Sequence, residues 1–268
     1  MDRVIKVSVG FATGALILLA ISLYLSNYYL KQQLRSVETG NLQDAQREVE
    51  LASLLDPFSP APLVFDAYLE LRQGRTEAAV GAFREAIERE PHNSENRVAL
   101  GDLQRQQLGD PEAAAESYRE ALKYNPYSAA AISRLGDALL NAGDLEGAKA
   151  QYERLRERGK ISLKDLYALG RIQVQLEEPE EAIETFEEAR EMAGKRLESL
   201  DESQRTERET FIESLDLAVT DALVVQGSYA EAREVLSRSE AEQASAVLAL
   251  LNEDPESYRE TVLDDTIR

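Results

Sequence analysis

The stretch GRTEAAVGAFREAIEREP, residues 74–91, carries a spacing of residue types that returns along most of this chain. Its marks are two alanines with an aromatic residue between them and a closing proline: Ala79, Phe83, Ala86 and Pro91. The same offsets recur at Ala45, Val49, Ala52 and Pro57, at Ala114, Tyr118, Ala121 and Pro126, at Ala148, Tyr152 and Leu155, and at Ala182, Phe186 and Ala189. The leading alanines step by 34 or 35 residues, and a step of 50 then reaches Ala232. This period predicts a chain built from repeated structural units.

A second mark, the dipeptide Leu-Gly, stands about a dozen residues before three of these alanines, at Leu100-Gly101, Leu135-Gly136 and Leu169-Gly170. Two separate marks in one period predict two helices per unit. Small Gly and Ala residues allow the paired helices to approach closely, and the aromatic residue fills the remaining gap.

A period near 34 residues with Leu-Gly on the first helix and Ala-x3-aromatic-x2-Ala on the second is similar to the tetratricopeptide repeat family. The resemblance covers roughly residues 30–240 and implies an all-α solenoid. We expect about five helix-turn-helix units plus a C-terminal cap, preceded by a single transmembrane helix. The resemblance implies a binding scaffold and does not imply a chemical reaction.

The N-terminal segment, residues 7–30, contains no charged residue. At about 1.5 Å per residue, a helix of this length covers the roughly 30 Å hydrocarbon core of a bilayer. We therefore predict a transmembrane anchor over residues 1–30. The alternative is a cleaved signal peptide, whose apolar region is usually shorter.

Four small residues, Gly10, Gly14, Ser22 and Ser26, fall on one stripe of this segment, at spacings of four residues or a multiple of four. Such a stripe favours close packing with another membrane helix, although Gly is also generally frequent in membrane helices. Basic residues are nearly balanced across the two flanks, so the orientation is open. The short N-terminal flank favours a periplasmic or extracytoplasmic repeat domain, with the cytoplasmic face as the alternative.

The remaining chain divides by the repeat marks. We expect a divergent first repeat that continues from the anchor at 31–59, four repeats at 60–196, an extended helix and fifth repeat at 197–240, and a C-terminal helical cap at 241–268. A cap covers the apolar face that a last repeat exposes. The 50-residue step adds 16 residues, 197–212, which predict longer helices. This insertion is either a docking feature or functionally neutral.

Composition excludes several classes of site. The chain has no Cys and a single His, His92, so zinc sites of the usual ligand types and His-based catalytic triads are not expected. A net charge of −20 argues against binding to nucleic acid. We expect no catalytic residue, no metal, no cofactor and no small-molecule substrate.

The family resemblance implies a concave groove lined by the first helix of each unit. The groove residues that the register predicts are Val64, Tyr68, Leu71, Arg72, Val98, Asp102, Arg105, Asp137, Tyr167 and Arg171. Tyr and Arg are the residue types that dominate binding energies, so Tyr68 and Tyr167 with neighbouring arginines are the expected anchors for a peptide. The alternative is that some of them pack against the next helix.

These features together predict a membrane-anchored protein–protein interaction scaffold that holds or helps assemble a multiprotein membrane complex. One alternative is a permanent accessory subunit, bound through its transmembrane helix and its solenoid. Another is a chaperone-like factor for exported clients.

Overall fold

The computed structural model describes residues 2–195, 197 and 200–264, with side chains described from Thr13 onward. The regular structure of these residues is helical and contains no strand, which confirms the all-α prediction. The helices are α1 (Asp2–Glu38), α2 (Leu42–Leu55), α3 (Ala61–Arg72), α4 (Thr76–Arg89), α5 (Ser94–Gln106), α6 (Pro111–Tyr124), α7 (Ala129–Asn141), α8 (Leu145–Glu157), α9 (Leu163–Gln175), α10 (Pro179–Gly194), α11 (Glu202–Gln226), α12 (Tyr229–Arg238), α13 (Ala244–Glu253) and α14 (Pro255–Asp264).

Local sequence signals set the ends of these helices. The side chains of Asp110 and Asp144 accept hydrogen bonds from the first turns of α6 and α8, which satisfies backbone N–H groups that have no partner within the helix. The turns between paired helices use a left-handed residue, Gly109 at φ 62° and Gly143 at φ 80°. One repeat later this position is Glu177, which adopts φ 55°. The turn geometry therefore persists where the glycine is absent.

The chain divides into two compact units, Met1–Pro126 and Tyr127–Arg268. The first contains α1 to α6, and the second contains α7 to α14. Within each unit consecutive helices pack as antiparallel pairs, and the second helix of a pair packs against the first helix of the next. The repeat marks form the core as predicted: those with no measurable exposure include Ala79, Phe83, Ala86, Ala114, Tyr118, Ala121, Ala148, Tyr152, Ala182, Phe186 and Ala189.

The Leu-Gly mark is explained by the aromatic ring that it faces. A Cβ atom added to Gly101 would lie 2.6 Å from Cε1 of Tyr118, and one added to Gly170 would lie 2.4 Å from Cε1 of Phe186. Real Cβ atoms do not approach other carbon atoms so closely. Glycine on the first helix and the aromatic residue on the second are therefore required together, which is why the two marks recur in register.

Helix α1 is continuous over its whole length and pairs with α2 through its C-terminal half. The Ser22 hydroxyl donates to the Leu55 carbonyl oxygen at 2.5 Å, and the Ser26 hydroxyl donates to that of Ala52 at 3.0 Å. The sequence predicts the boundary between anchor and first repeat at residue 30. In the structure the pairing with α2 already begins near Ser22, so residues 22–30 of the predicted anchor pack within the first repeat.

In the second unit, α11 is about twice as long as a typical repeat helix. Its C-terminal half carries the residues that pack in the core, including Leu215, Ala218 and Ala222. Its N-terminal half extends beyond that core. Helix α14 packs on both α11 and α9, so the C-terminal helices cover the end of this unit.

Candidate partner-binding site

A cavity of about 620 Å³ opens in the second unit between the N-terminal halves of α9 and α11. Its volume is within the range of pockets that bind small molecules. The lining residues are Leu163, Lys164, Tyr167, Leu200, Gln204, Glu207, Arg208, Phe211 and Ser214.

Aromatic rings form one wall of this cavity. The ring of Tyr167 lies 6.0 Å from that of Phe186 and 6.0 Å from that of Phe211, measured between centroids. Phe186 is the buried repeat mark of α10, whereas Phe211 comes from the extended part of α11. The insertion thus brings a second aromatic residue against a predicted groove residue. Clustered aromatic rings of this kind supply much of the binding energy in protein interfaces.

The start of α9 is fixed by a reciprocal cap, in which Ser162 and Asp165 each bind the backbone N–H of the other. This cap orients the first turn of α9, which carries Leu163 and Lys164. Lys164 Nζ lies 2.6 Å from a carboxylate oxygen of Asp137, so its charge is already paired on one side. Glu207 is exposed on the opposite helix. The cavity therefore has an apolar wall and a rim that carries both signs of charge.

In the first unit, the predicted groove residues of α3 divide into two groups. Val64 and Leu71 pack against the buried cluster around Phe83, so they belong largely to the core. Tyr68 is half exposed, and its ring meets Phe83 edge-on at 5.4 Å. Arg72 is exposed, with Nη1 3.4 Å from the Val37 carbonyl oxygen. Tyr68 and Arg72 thus lie together on an accessible face.

The predicted groove aspartates take part in the repeat itself. The Tyr118 hydroxyl donates to Asp102 at 2.7 Å, and the Tyr152 hydroxyl donates to Asp137 at 2.8 Å. Burial and the bond to Asp102 raise the pKa of Tyr118, so the ring stays protonated and neutral well above neutral pH. Val98 and Arg105 are partly buried on the same helix as Asp102. The aspartates hold the core tyrosines in place.

Arg171 differs from the expectation of an accessible anchor. It is buried, and its guanidinium forms an ion pair with Asp221 of α11. The reason is that α11 packs on α9 at this point, which converts a groove position into an internal one. Among the groove residues predicted in the second unit, Tyr167 is the one that lines the cavity.

Models of the tetratricopeptide repeat family match residues 66–129 and 133–196, and a further model of the same family matches residues 105–160. The chain is a tetratricopeptide repeat protein. A comparison with curated proteins found no match.

Similar solved structures are themselves repeat proteins. Pseudomonas aeruginosa pilF shares 15% identity at a TM-score of 0.59, covering 91% of this chain and 99% of its own. A tetratricopeptide repeat protein from Parabacteroides merdae shares 17% identity at 0.58, covering 90% of each chain. MamA from Desulfovibrio magneticus shares 18% identity at 0.53, covering 62% of this chain and 94% of its own. At these identities the likeness shows the fold alone.

The small-residue stripe of α1 has two kinds of surroundings in this tetratricopeptide repeat protein. Ser22 and Ser26 face α2 of the same chain, as their hydrogen bonds show. A Cβ added to Gly14 would meet no atom within 4 Å, so that position is open. Gly10 lies in α1, in the part whose side-chain surroundings are outside the described set. At least half of the stripe is therefore occupied within the first repeat.

Nothing in the sequence pattern assigns Leu163, Lys164, Arg208 or Phe211 to a site. Phe211 shares helical spacing with Leu215 and Ala218, which indicates a core position. The available signal was the 50-residue step, because extra helix length beyond a repeat core has to place its side chains elsewhere. Within the described residues, no group of His, Asp and Glu is arranged to hold a metal ion.

Proposed function

We propose that this tetratricopeptide repeat protein is a membrane-anchored scaffold that holds or helps assemble a multiprotein membrane complex. The supporting observation is the change in exposure along α1. Leu16, Ile17, Leu18 and Leu19 are each more than half exposed, whereas Leu30 is buried. The described part of this helix thus has an uncovered apolar stretch up to Ile21 and a stretch that is part of the repeat fold.

An uncovered apolar helix of this length needs an apolar environment. The described helix Thr13–Glu38 is long and apolar enough to cross a membrane. An 18-residue window of this helix has a mean hydropathy of 1.4, and only 11% of that window is buried. A core helix of a water-soluble domain would be mostly covered by its own chain. Hydrocarbon around the first half of α1 removes this apolar surface from water at no cost in backbone hydrogen bonds.

Proteins with this repeat are protein-interaction scaffolds. In this chain the cavity beside Tyr167 and Phe211 offers a place for an apolar side chain of a partner, while the charged rim contacts the polar groups around it. We propose this cavity as the principal contact and the face around Tyr68 and Arg72 as a second one. The strongly acidic chain favours a partner segment with basic residues.

We further propose that the repeat domain lies on the extracytoplasmic side of the membrane. In the accessory-subunit alternative, the small-residue stripe of the transmembrane helix is one of the contacts with the partner. The occupation of Ser22 and Ser26 by α2 leaves the solenoid as the larger available surface for a permanent partner.

Crosslinking and copurification from native membranes in mild detergent test the proposal. We expect the full chain to stay with the membrane fraction after alkaline washing and to recover a small set of membrane-complex subunits. Tyr167→Ala should reduce that recovery, whereas Tyr127→Ala should not, because Tyr127 is 81% exposed and lies outside the cavity lining. Release by alkaline washing would refute the anchor. Many substoichiometric soluble clients would instead support the chaperone-like alternative.

A further inference from the structure

The last turn of α2 and the loop that leads to α3, together called the α2–α3 turn, present two of the most exposed large apolar side chains of the described chain. Leu54 is 78% exposed and Phe58 is 88% exposed. Neither belongs to the buried set of repeat marks. Such large apolar side chains, close together in sequence and left in water, indicate a contact with something apolar.

This turn has a defined conformation. The Ser59 N–H donates to the Asp56 carbonyl oxygen at 3.3 Å, and Nη1 of Arg89 donates to the Ser59 carbonyl oxygen at 3.1 Å. Pro57 and Pro60 restrict the backbone further. Phe58 is therefore held on the outside of the first unit by the surrounding bonds.

Hydrogen bonds also fix where the turn lies along α1. Ser22 binds the carbonyl oxygen of Leu55, and Ser26 binds that of Ala52. Leu54 and Phe58 therefore lie at the level where the described part of α1 passes from its uncovered apolar stretch, which ends around Ile21, to the stretch that packs on α2. Tyr24, 69% exposed, lies at this same level of α1. Aromatic side chains are favoured at the boundary between hydrocarbon and headgroups.

The length of the uncharged run brings the bilayer to this level. Residues 7–21 span only about 22 Å as a helix, so the run 7–30 reaches the roughly 30 Å of the hydrocarbon core only with residues beyond Ile21. The turn at Leu54 and Phe58 is the flanking structure bound to α1 at that point.

We propose that the α2–α3 turn inserts Leu54 and Phe58 into the interfacial region of the membrane that α1 spans. This inference rests on the proposed membrane anchor. It adds a second point of attachment beside α1, which restricts rotation of the first repeat about the axis of that helix. Because the chain has a net charge of −20, the contact is apolar and does not require anionic lipid.

The absence of Trp from the sequence gives a direct test. Single-Trp variants of the full chain are reconstituted in phosphatidylcholine vesicles that contain lipids with a quencher near the headgroup or deep in the acyl chain. Phe58→Trp reports on the turn, and Leu54→Trp reports on it independently. Ile17→Trp, in the uncovered stretch of α1, reports on the anchor. Tyr68→Trp is the control, because α3 carries Tyr68 away from the turn, toward the end where Arg72 approaches Val37.

We expect the shallow quencher to reduce the Phe58→Trp and Leu54→Trp emission several-fold more than the Tyr68→Trp emission. Ile17→Trp should respond to the deep quencher. If Ile17→Trp is quenched at depth while both turn variants behave like Tyr68→Trp, the interfacial insertion is refuted and the anchor stands. If Ile17→Trp is not quenched by either lipid, the anchor and the insertion are both refuted.

Discussion

Arg171 of α9 and Asp221 of α11 form a buried ion pair, and the Tyr258 hydroxyl of α14 donates to the same carboxylate at 2.8 Å. The two charged side chains are 10% and 13% exposed. One carboxylate therefore joins a repeat helix, the extended helix and the last helix of the chain. The C-terminal helices are tied to the repeats by polar contacts as well as by apolar packing.

Replacing Asp221 by Ala should destabilise the second unit by about 3–5 kcal/mol, because it removes the carboxylate that pairs with the buried Arg171 guanidinium. Urea denaturation in detergent, followed by far-UV circular dichroism, measures this change. The double variant Arg171→Met with Asp221→Leu should lose much less stability than the single variant, since both charges of the pair are removed together. Equal losses in the two variants would show that the packing volume matters and the charge does not.

Two helical glycines of the first unit should respond in opposite directions to substitution by Ala. Gly101→Ala places a methyl group 2.6 Å from the Tyr118 ring and should destabilise by about 1–3 kcal/mol. Gly81→Ala meets no atom within 4 Å and should stabilise by about 0.5–1 kcal/mol through helix propensity. The difference in urea midpoint between the two variants is the readout. A stabilising Gly101→Ala would contradict the close approach of α5 and α6.

The repeat core could be predicted from the sequence because the same close contact between a glycine and an aromatic ring recurs in successive units. Gly101 must face Tyr118, and Gly170 must face Phe186, so small and aromatic residues keep a fixed offset. Arg171 could not be placed in the same way. It follows the same Leu-Gly mark as Asp102 and Asp137, yet its partner Asp221 lies 50 residues later in the sequence, beyond the register of the repeat.

The cavity also depends on residues that lie outside the register of the repeat. Tyr167 was predicted as a groove residue, but the residues opposite it come from the insertion that lengthens α11. Phe211 has the spacing of a core residue on its own helix, and only the packing of α11 on α9 shows that its ring reaches Tyr167. The sequence also does not show that α1 begins to pair with α2 at Ser22. Uncharged residues are compatible both with lipid and with a neighbouring helix, so the pattern does not distinguish the two.

The stability of the first unit should fall as pH rises above about 10. Burial, with the hydrogen bond to Asp102, raises the pKa of Tyr118 in the folded state above its unfolded value near 10. The unfolded state therefore loses this proton first, and the contribution of Tyr118 to stability is complete below pH 10 and declines above it. Urea midpoints between pH 8 and pH 11 measure the decline. In Tyr118→Phe the urea midpoint should decline less steeply with pH. If it declines as steeply as in the natural chain, Tyr118 is not the cause of the decline.

A pair of charge reversals on α11 locates the partner contact. Glu207 lines the cavity, whereas Glu209 is exposed on the same helix and is not part of the lining. Both substitutions to Arg change the charge by the same amount, so any effect of net charge or helix propensity is common to the two variants.

Glu207→Arg should weaken capture of the copurified partner about tenfold, which corresponds to about 1.4 kcal/mol, because it adds a third positive charge beside Lys164 and Arg208. Glu209→Arg should bind as the natural chain does. Equal weakening in both variants would point to the overall acidic field, and no weakening in either would move the contact to the face around Tyr68 and Arg72.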